Sequence, residues 1–169
     1  ELVSQCIVEG IPTTILPGAV AAVSGLVLSG FDTQRFCYEG FIPRGKKEKK
    51  AFFEDLRYEE RTLVFYESPH RLMETLLAMK DTFQDRQIAV CRELTKKFEE
   101  VKRGSISEVW QHFKNNGVKG EFTLVLKGAE QKSEEERGLD WALQRFDELK
   151  AEGISAKDAV KLAAKEADI

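Results

Sequence analysis

"GIPTTILPGAVAAVSGLVLSGF" (10–31) decides how this chain folds. An apolar run, Ile11 to Leu16, stops at Pro17-Gly18 and gives way to a long stretch of Ala, Val, Ser and Gly. That order reads as strand, turn and helix, with Pro and Gly as the punctuation. Buried helices usually carry Leu, Ile and Phe, so small side chains here mean that something approaches the backbone closely. It can be the sheet beneath, which Ser24 and Gly25 suit, or a ligand lying on bare amides at the helix N-terminus. This stretch alone leaves both open.

Working outward, three more short runs read as buried strands: "TLVFYE" (62–67), "QIAVCREL" (87–94) and "FTLVLK" (122–127). They are rich in Val, Ile, Phe and Thr without clean alternation, the pattern of strands covered on both faces. "FCYEGF" (36–41) is a weaker strand, and "FEEVKRG" (98–104) an antiparallel edge. Helices lie between them. Ser68-Pro69 places a capping hydroxyl before Pro, followed by Leu72, Leu76 and Met79 on one face. Ser105 and Glu108 form a capping box ahead of Val109, Trp110 and Phe113. "SEEE" (133–136) opens a helix carrying Leu139, Leu143, Phe146 and Leu149, and Ser155 with Asp158 opens a last one with Ala159, Leu162 and Ala163. The predicted class is α/β, a mixed, mostly parallel sheet with helices on both faces, plus a C-terminal helical hairpin. The expected division is 1–16 as linker and remnant of a preceding domain, 17–130 as the α/β domain, and 131–169 as an acidic helical tail. "ELVSQCIVEG" (1–10) reads as the end of a helix with no cap at its start, as if cut from something longer.

The 169 residues suffice for one ordinary domain, and a 42% hydrophobic with 33% charged composition excludes disorder as the general state. No run approaches the ~20 apolar residues a spanning helix needs. Cys6, Cys37 and Cys91 are distant from one another and sit in or beside apolar runs, so they read as reduced core residues of a cytoplasmic protein. With two histidines and no ligand spacing, a metal site is not expected. Net charge is −3, yet "PRGKKEKK" (43–50) concentrates Arg44, Lys46, Lys47, Lys49 and Lys50 against one acid. Such a loop can steer a polyanion, or can be solvated surface.

Ligands of open α/β sheets bind beyond the carboxyl ends of strands. That rule selects Pro17-Gly18-Ala19-Val20-Ala21, Tyr66-Glu67-Ser68, Arg92-Glu93-Leu94-Thr95, and the Gly120 turn with Glu121-Phe122-Thr123. Glu67 and His70 could do acid–base work; equally, Glu67 could hold helix amides while His70 and Arg71 face water. Arg92 and Glu93 could bind a ligand or pair structurally. His112, beside Trp110, reads as a packing residue. The residues alone name no reaction.

Read together, "LPGAVAAVSGLVLSGF", "RFCYEGFIPRGKKEK", "RTLVFYESPHRL", "CRELTKKFEEVKRG" and "KGEFTLVLKG" closely resemble the C-terminal portion of the tetrapyrrole (corrin/porphyrin) methylases. "FCYEGFIPRGKK" with "FYESPHRL" is similar to the branch that methylates small-subunit ribosomal RNA rather than porphyrinoids. The resemblance covers about residues 1–130. It implies two α/β domains with S-adenosylmethionine in the cleft between them, of which this chain carries the second. The first domain's Pro/Gly loop and Asp-Pro-Gly segment do not occur here. By matching motifs, Pro17, Gly18, Val20, Ala21, Tyr66, Glu67, Leu94, Phe122 and Thr123 would line the cofactor. The porphyrinoid methylases carry Met where Glu67 stands. The implied reaction is 2′-O-methylation of a cytidine ribose in small-subunit rRNA, with Glu67 and Glu93 as carboxylates to serve as base or orienter. Arg44, Lys46, Lys47, Lys49 and Lys50 would contact RNA phosphates, and a homodimer is implied. The alternatives are a methylase of small tetrapyrrole-type molecules and a non-catalytic RNA-binding or dimerisation module.

Overall fold

The computed structural model describes residues 2–130 and 134–167. Its elements run α1 (Leu2–Val8), α2 (Ala21–Ser29), β1 (Phe36–Phe41), α3 (Lys46–Asp55), β2 (Thr62–Glu67), α4 (Pro69–Phe83), β3 (Gln87–Arg92), β4 (Glu100–Ser105), α5 (Ile106–Asn116), β5 (Phe122–Leu126), α6 (Glu134–Ala151) and α7 (Ala156–Glu166). They form two compact units, Glu1–Ala129 and Glu130–Ile169.

The first unit is a five-stranded sheet in the order β1-β2-β5-β3-β4. Strands β2, β3 and β5 lie inside and are buried along almost their whole length, whereas β1 and β4 form half-exposed edges. One face takes α2: Ala22 and Leu26 pack on Val64, Ala89 and Val125. The other face takes α3, α4 and α5. There Phe53, Leu72, Leu76, Phe83, Val109 and Phe113 close over Leu63, Phe65, Ile88, Val90, Leu124 and Leu126. Odd and even positions of each central strand thus feed different cores, which explains the missing alternation.

The mixed α/β class holds, but the balance of pairing differs from the expected one. Only β1–β2 is parallel; β2–β5, β5–β3 and β3–β4 are antiparallel. Strands β1, β2 and β3 still point the same way, because β5 slots between β2 and β3 in the opposite sense. A strand buried on both faces looks alike in either direction, so its composition carries no sign of this.

Residues 11–16, expected as a strand, are extended and unpaired, with Ile15 85% and Leu16 90% exposed. A strand exists only through its ladder, and among the described residues none flanks this segment. The capping box of α5 is present as expected, Ser105 Oγ accepting from Glu108 N and Glu108 accepting from Ser105 N. Ser68 differs: it precedes α4 without a side-chain cap.

The second unit pairs α6 with α7 through Phe146, Leu149, Ile154, Ala159 and Ala163. Ser155 caps α7 by accepting from Asp158 N; the expected Ser133 cap lies outside the described residues. Leu139, Leu143 and Leu162 stay exposed rather than joining that face. Ala142, Ala159 and Ala163 are buried there with Leu149, and the short alanine side chains let the helices approach closely.

Candidate active site

The carboxyl ends of β1, β2 and β3 meet the amino ends of β5 and β4 at one edge of the sheet. Register divides the candidate residues between the two faces. Tyr66, Thr123 and Cys91 are direct partners across β2, β5 and β3, so all three face α2. Glu67, Phe122 and Arg92 are the next row and face α4 and α5.

On the α2 side, Val20 is extended and offers the helix no side-chain cap. The Tyr66 hydroxyl supplies one instead, accepting from Ala22 N at 2.9 Å. Its ring packs edge-on to Tyr38 and tilted against Phe41, with centroids 5.4 and 5.5 Å away. The small residues of 17–29 are now separable by cause. A Cβ on Gly25 would stand 2.9 Å from Thr123 Cγ2 and 3.7 Å from Cys91 Sγ, so the sheet demands that glycine. A Cβ on Gly18 would meet nothing within 4 Å, and residues 11–21 are exposed throughout. Among the described residues of this unit, no side chain covers the Pro17–Ala21 turn.

Glu67 is not placed as a base. Its side chain is fully buried and its oxygens are taken: Oε1 accepts from Ser68 N at 2.7 Å, and Oε2 accepts from Thr75 Oγ1 at 2.6 Å and lies 3.1 Å from Arg71 Nη2. Arg71 in turn donates to the Ile42 and Pro43 carbonyls. Instead of facing water, Arg71 ties α4 to the foot of the basic loop. The i,i+4 spacing of Glu67 and Arg71 was the available signal. His70 is exposed, as expected.

Glu93 adopts φ +51° in the turn after β3. Its Oε1 accepts from Glu121 N at 2.9 Å and from Lys96 Nζ at 3.1 Å. The Glu121 amide first, then Lys96, hold this carboxyl below its ordinary value, which makes it a weak proton acceptor. Gly120 is required beneath it, since a Cβ there would fall 2.5 Å from Glu93 Cγ. Leu94 is half-buried in the same turn, and Phe122 is buried edge-on to Phe113, away from α2. Phe122 can therefore offer that face only backbone.

One network was not legible in advance. Arg92 Nη2 lies 3.1 Å from Glu100 Oε2, and Glu100 Oε1 bonds His112 Nε2. His112, read as a packing residue, thus links α5 to β4 as well as lying edge-on to Phe113.

In the basic loop, Arg44, Lys46, Lys47 and Lys50 are exposed. Lys49 is not: its side chain is 2% exposed and its ammonium bonds Glu74 Oε1 at 3.0 Å. It faces α4 because α3 begins at Lys46 and turns position 49 inward. Lys49 leaves the set available to a polyanion.

A family model described as Tetrapyrrole (Corrin/Porphyrin) Methylases matches residues 1–109. The chain belongs to the tetrapyrrole methylase family. Among relatives, it is 44% identical over 153 residues to the ribosomal RNA small subunit methyltransferase I of Bacillus subtilis (strain 168), covering 88% of this chain and 52% of that one. The proteins of the same name from Halalkalibacterium halodurans and Mycobacterium bovis are 40% and 42% identical, covering 97% and 94% of this chain and 58% and 54% of theirs. The chain thus spans little more than half the length of these relatives. Among solved structures, it is similar to a cobalt precorrin-4 methyltransferase (TM-score 0.55, 15% identity, 75% of this chain and 57% of that one). The uroporphyrin-III-C-methyltransferase of Thermus thermophilus gives 0.51 at 18% identity, over 74% and 55%. These two likenesses concern the tetrapyrrole methylase fold alone. Among the described residues no helix is long and apolar enough to cross a membrane.

Proposed function

We propose that this tetrapyrrole methylase chain contributes one side of an S-adenosylmethionine-dependent methyltransferase that modifies a cytidine ribose 2′-hydroxyl in small-subunit rRNA. The observation that carries this is the 44% identity over 153 residues to a ribosomal RNA small subunit methyltransferase I. On this reading residues 1–16 are the end of a first domain and linker, 17–130 the second domain, and 131–169 an added acidic tail. The enzyme works in the cytoplasm as a homodimer.

The residues at the sheet end fit the cofactor as one wall. The Pro17–Ala21 backbone is bare and open, and Tyr66 is anchored by the Ala22 amide beside it. Val20, Ala21, Tyr66, Thr123 and Leu94 would hold the nucleoside, with backbone of Glu67 and Phe122 closing the strand ends. When bound, S-adenosylmethionine supplies a methyl group already activated by the sulfonium charge. The protein's task is then alignment of the acceptor hydroxyl and exclusion of water. Glu67 does this indirectly, by fixing Arg71 and the loop base at Ile42-Pro43. Glu93, whose Oε2 takes part in none of the bonds described, orients the acceptor as a hydrogen-bond partner. Arg44, Lys46, Lys47 and Lys50 meet RNA phosphates.

The test grafts this chain in place of the matching segment of the B. subtilis relative and supplies tritiated cofactor. Label is expected in small-subunit RNA, in a dinucleotide resistant to alkali because its 2′-oxygen is blocked. Label in a tetrapyrrole and none in RNA would overturn the assignment.

A further inference from the structure

We propose that the depression beyond the ends of β3 and β5 is a nucleotide-binding site, seating an unpaired RNA base on Phe98 and its phosphate against Arg92 and Lys119. The proposal rests on the RNA-methylating reading and adds to it a recognition site away from the α2 side.

The depression has a volume of about 360 Å³ and is lined by Arg92, Glu93, Phe98, Asn116, Lys119 and Gly120, among others. Phe98 is 68% exposed, and the Lys97 ammonium stands 5.6 Å from its ring centroid. Phe98 belongs to none of the hydrophobic clusters formed by the described residues. An open aromatic face beside cations is what single-stranded nucleic acid uses, since every base can stack and every phosphate needs a counter-charge. Lys119 is exposed, and among the described residues no acid pairs with it. Arg92 is held at the rim by Glu100, itself bonded to His112. Asn116, whose Nδ2 donates to the His112 carbonyl, brings a side-chain amide for a base edge. The one lining acid, Glu93, is partly neutralised by Lys96.

Backbone conformation points the same way. Glu93 and Thr95 both sit at positive φ, +51° and +65°, and Thr95 is β-branched. The turn is over-determined: Glu93 N donates to Glu121 O at 3.0 Å, Lys96 N to Glu93 O at 2.9 Å, and Thr95 N to Glu99 Oε2 at 2.6 Å. Strain of this kind persists only where surrounding bonds fix it, and such fixed turns cluster at ligand-binding sites. Cys91, Thr123 and Tyr66 are register partners. Two strand spacings, about 10 Å, therefore separate this side of the sheet end from Tyr66. An RNA whose acceptor ribose lies between Tyr66 and Glu93, at the rim of the depression, reaches into it with a neighbouring nucleotide.

The test is fluorescence anisotropy of the chain with a labelled single-stranded RNA decamer across a salt series. Phe98→Ala should weaken binding about tenfold with an unchanged salt slope, and Phe98→Trp should restore it. Lys119→Ala should weaken binding and reduce the slope of log K against log salt by about one. Both positions are exposed, so thermal melts should match the parent. If both alanine variants bind as the parent does while charge reversal at Arg44, Lys46, Lys47 and Lys50 weakens binding, the pocket is refuted and the RNA-methylating reading stands. A parent chain with no RNA affinity at low salt would overturn the pocket, and the graft assay then decides the reading separately.

Discussion

A single methyl group at position 25 would press into the sheet, whereas the same methyl at position 18 would enter open space. Gly25→Ala should therefore destabilise by about 1–3 kcal/mol through overpacking against Thr123, and Gly18→Ala should leave the urea midpoint within error. Equal effects at the two positions would remove the distinction between packing glycine and open glycine. Glu67→Gln should cost about 3 kcal/mol or more, because it leaves the Arg71 charge without its buried partner. That loss would be read as a lowered urea midpoint, with cofactor binding measured on the folded fraction. A carboxylate acting as a base would instead lose activity at full stability. Glu59 gives a pH signature. Its carboxyl accepts from Arg61 Nε, Nη2 and backbone N, which hold it down to about 2 from an ordinary 4.5. Its contribution is thus complete above the ordinary carboxylate value and is lost as pH falls from there toward 2. An NMR titration of Glu59 should show that low midpoint, and Glu59→Gln should flatten the acid limb of the stability curve. A midpoint near 4.5 would contradict the pairing. At this scale the sequence exposed which residue types gather at the strand ends, but not their partners. Lys49 among five basic residues looks like its neighbours, and only the phase of α3 turns it toward Glu74.

Elements were legible where local chemistry defines them. The Ser105/Glu108 box, the Ser155 cap and the apolar face Leu72-Leu76-Met79 all follow from spacing, and each appears where the pattern puts it. Ser105→Ala should lower stability by about 1 kcal/mol, checked by thermal melting. Element relations were less legible. The sense of β5 depends on which neighbours it meets, and the 11–16 segment depends on a ladder that no described strand provides. Helix α2 is a mixed case. Its small residues announced close approach, but the cap at its start comes from Tyr66, a strand residue 44 positions away from Ala22. Tyr66→Phe should cost about 1 kcal/mol by leaving the Ala22 amide unpaired, and a melt unchanged within error would contradict that capping role.

For the molecule as a whole, the sheet is a partition. One face carries α2 and the open Pro17–Ala21 turn; the other carries the Glu67–Arg71 clamp and the Phe98 depression. Both features lie at the end where β1, β2 and β3 finish. The family, and the gathering of the candidate residues at one end of the sheet, were readable from motif order, because strand ends and the turns after them are contiguous in sequence. The division of roles between faces was not, since it rests on cross-strand register. On the proposed reading, the α2 end is a wall of the methyl-donor site. Titrating the isotope-labelled chain with S-adenosylhomocysteine to millimolar concentration, read by amide chemical shifts, tests it most directly. Saturating shifts grouped at Val20, Ala21, Ala22, Tyr66, Leu94 and Thr123 are expected. Shifts confined to other residues, or none at millimolar ligand, would contradict it.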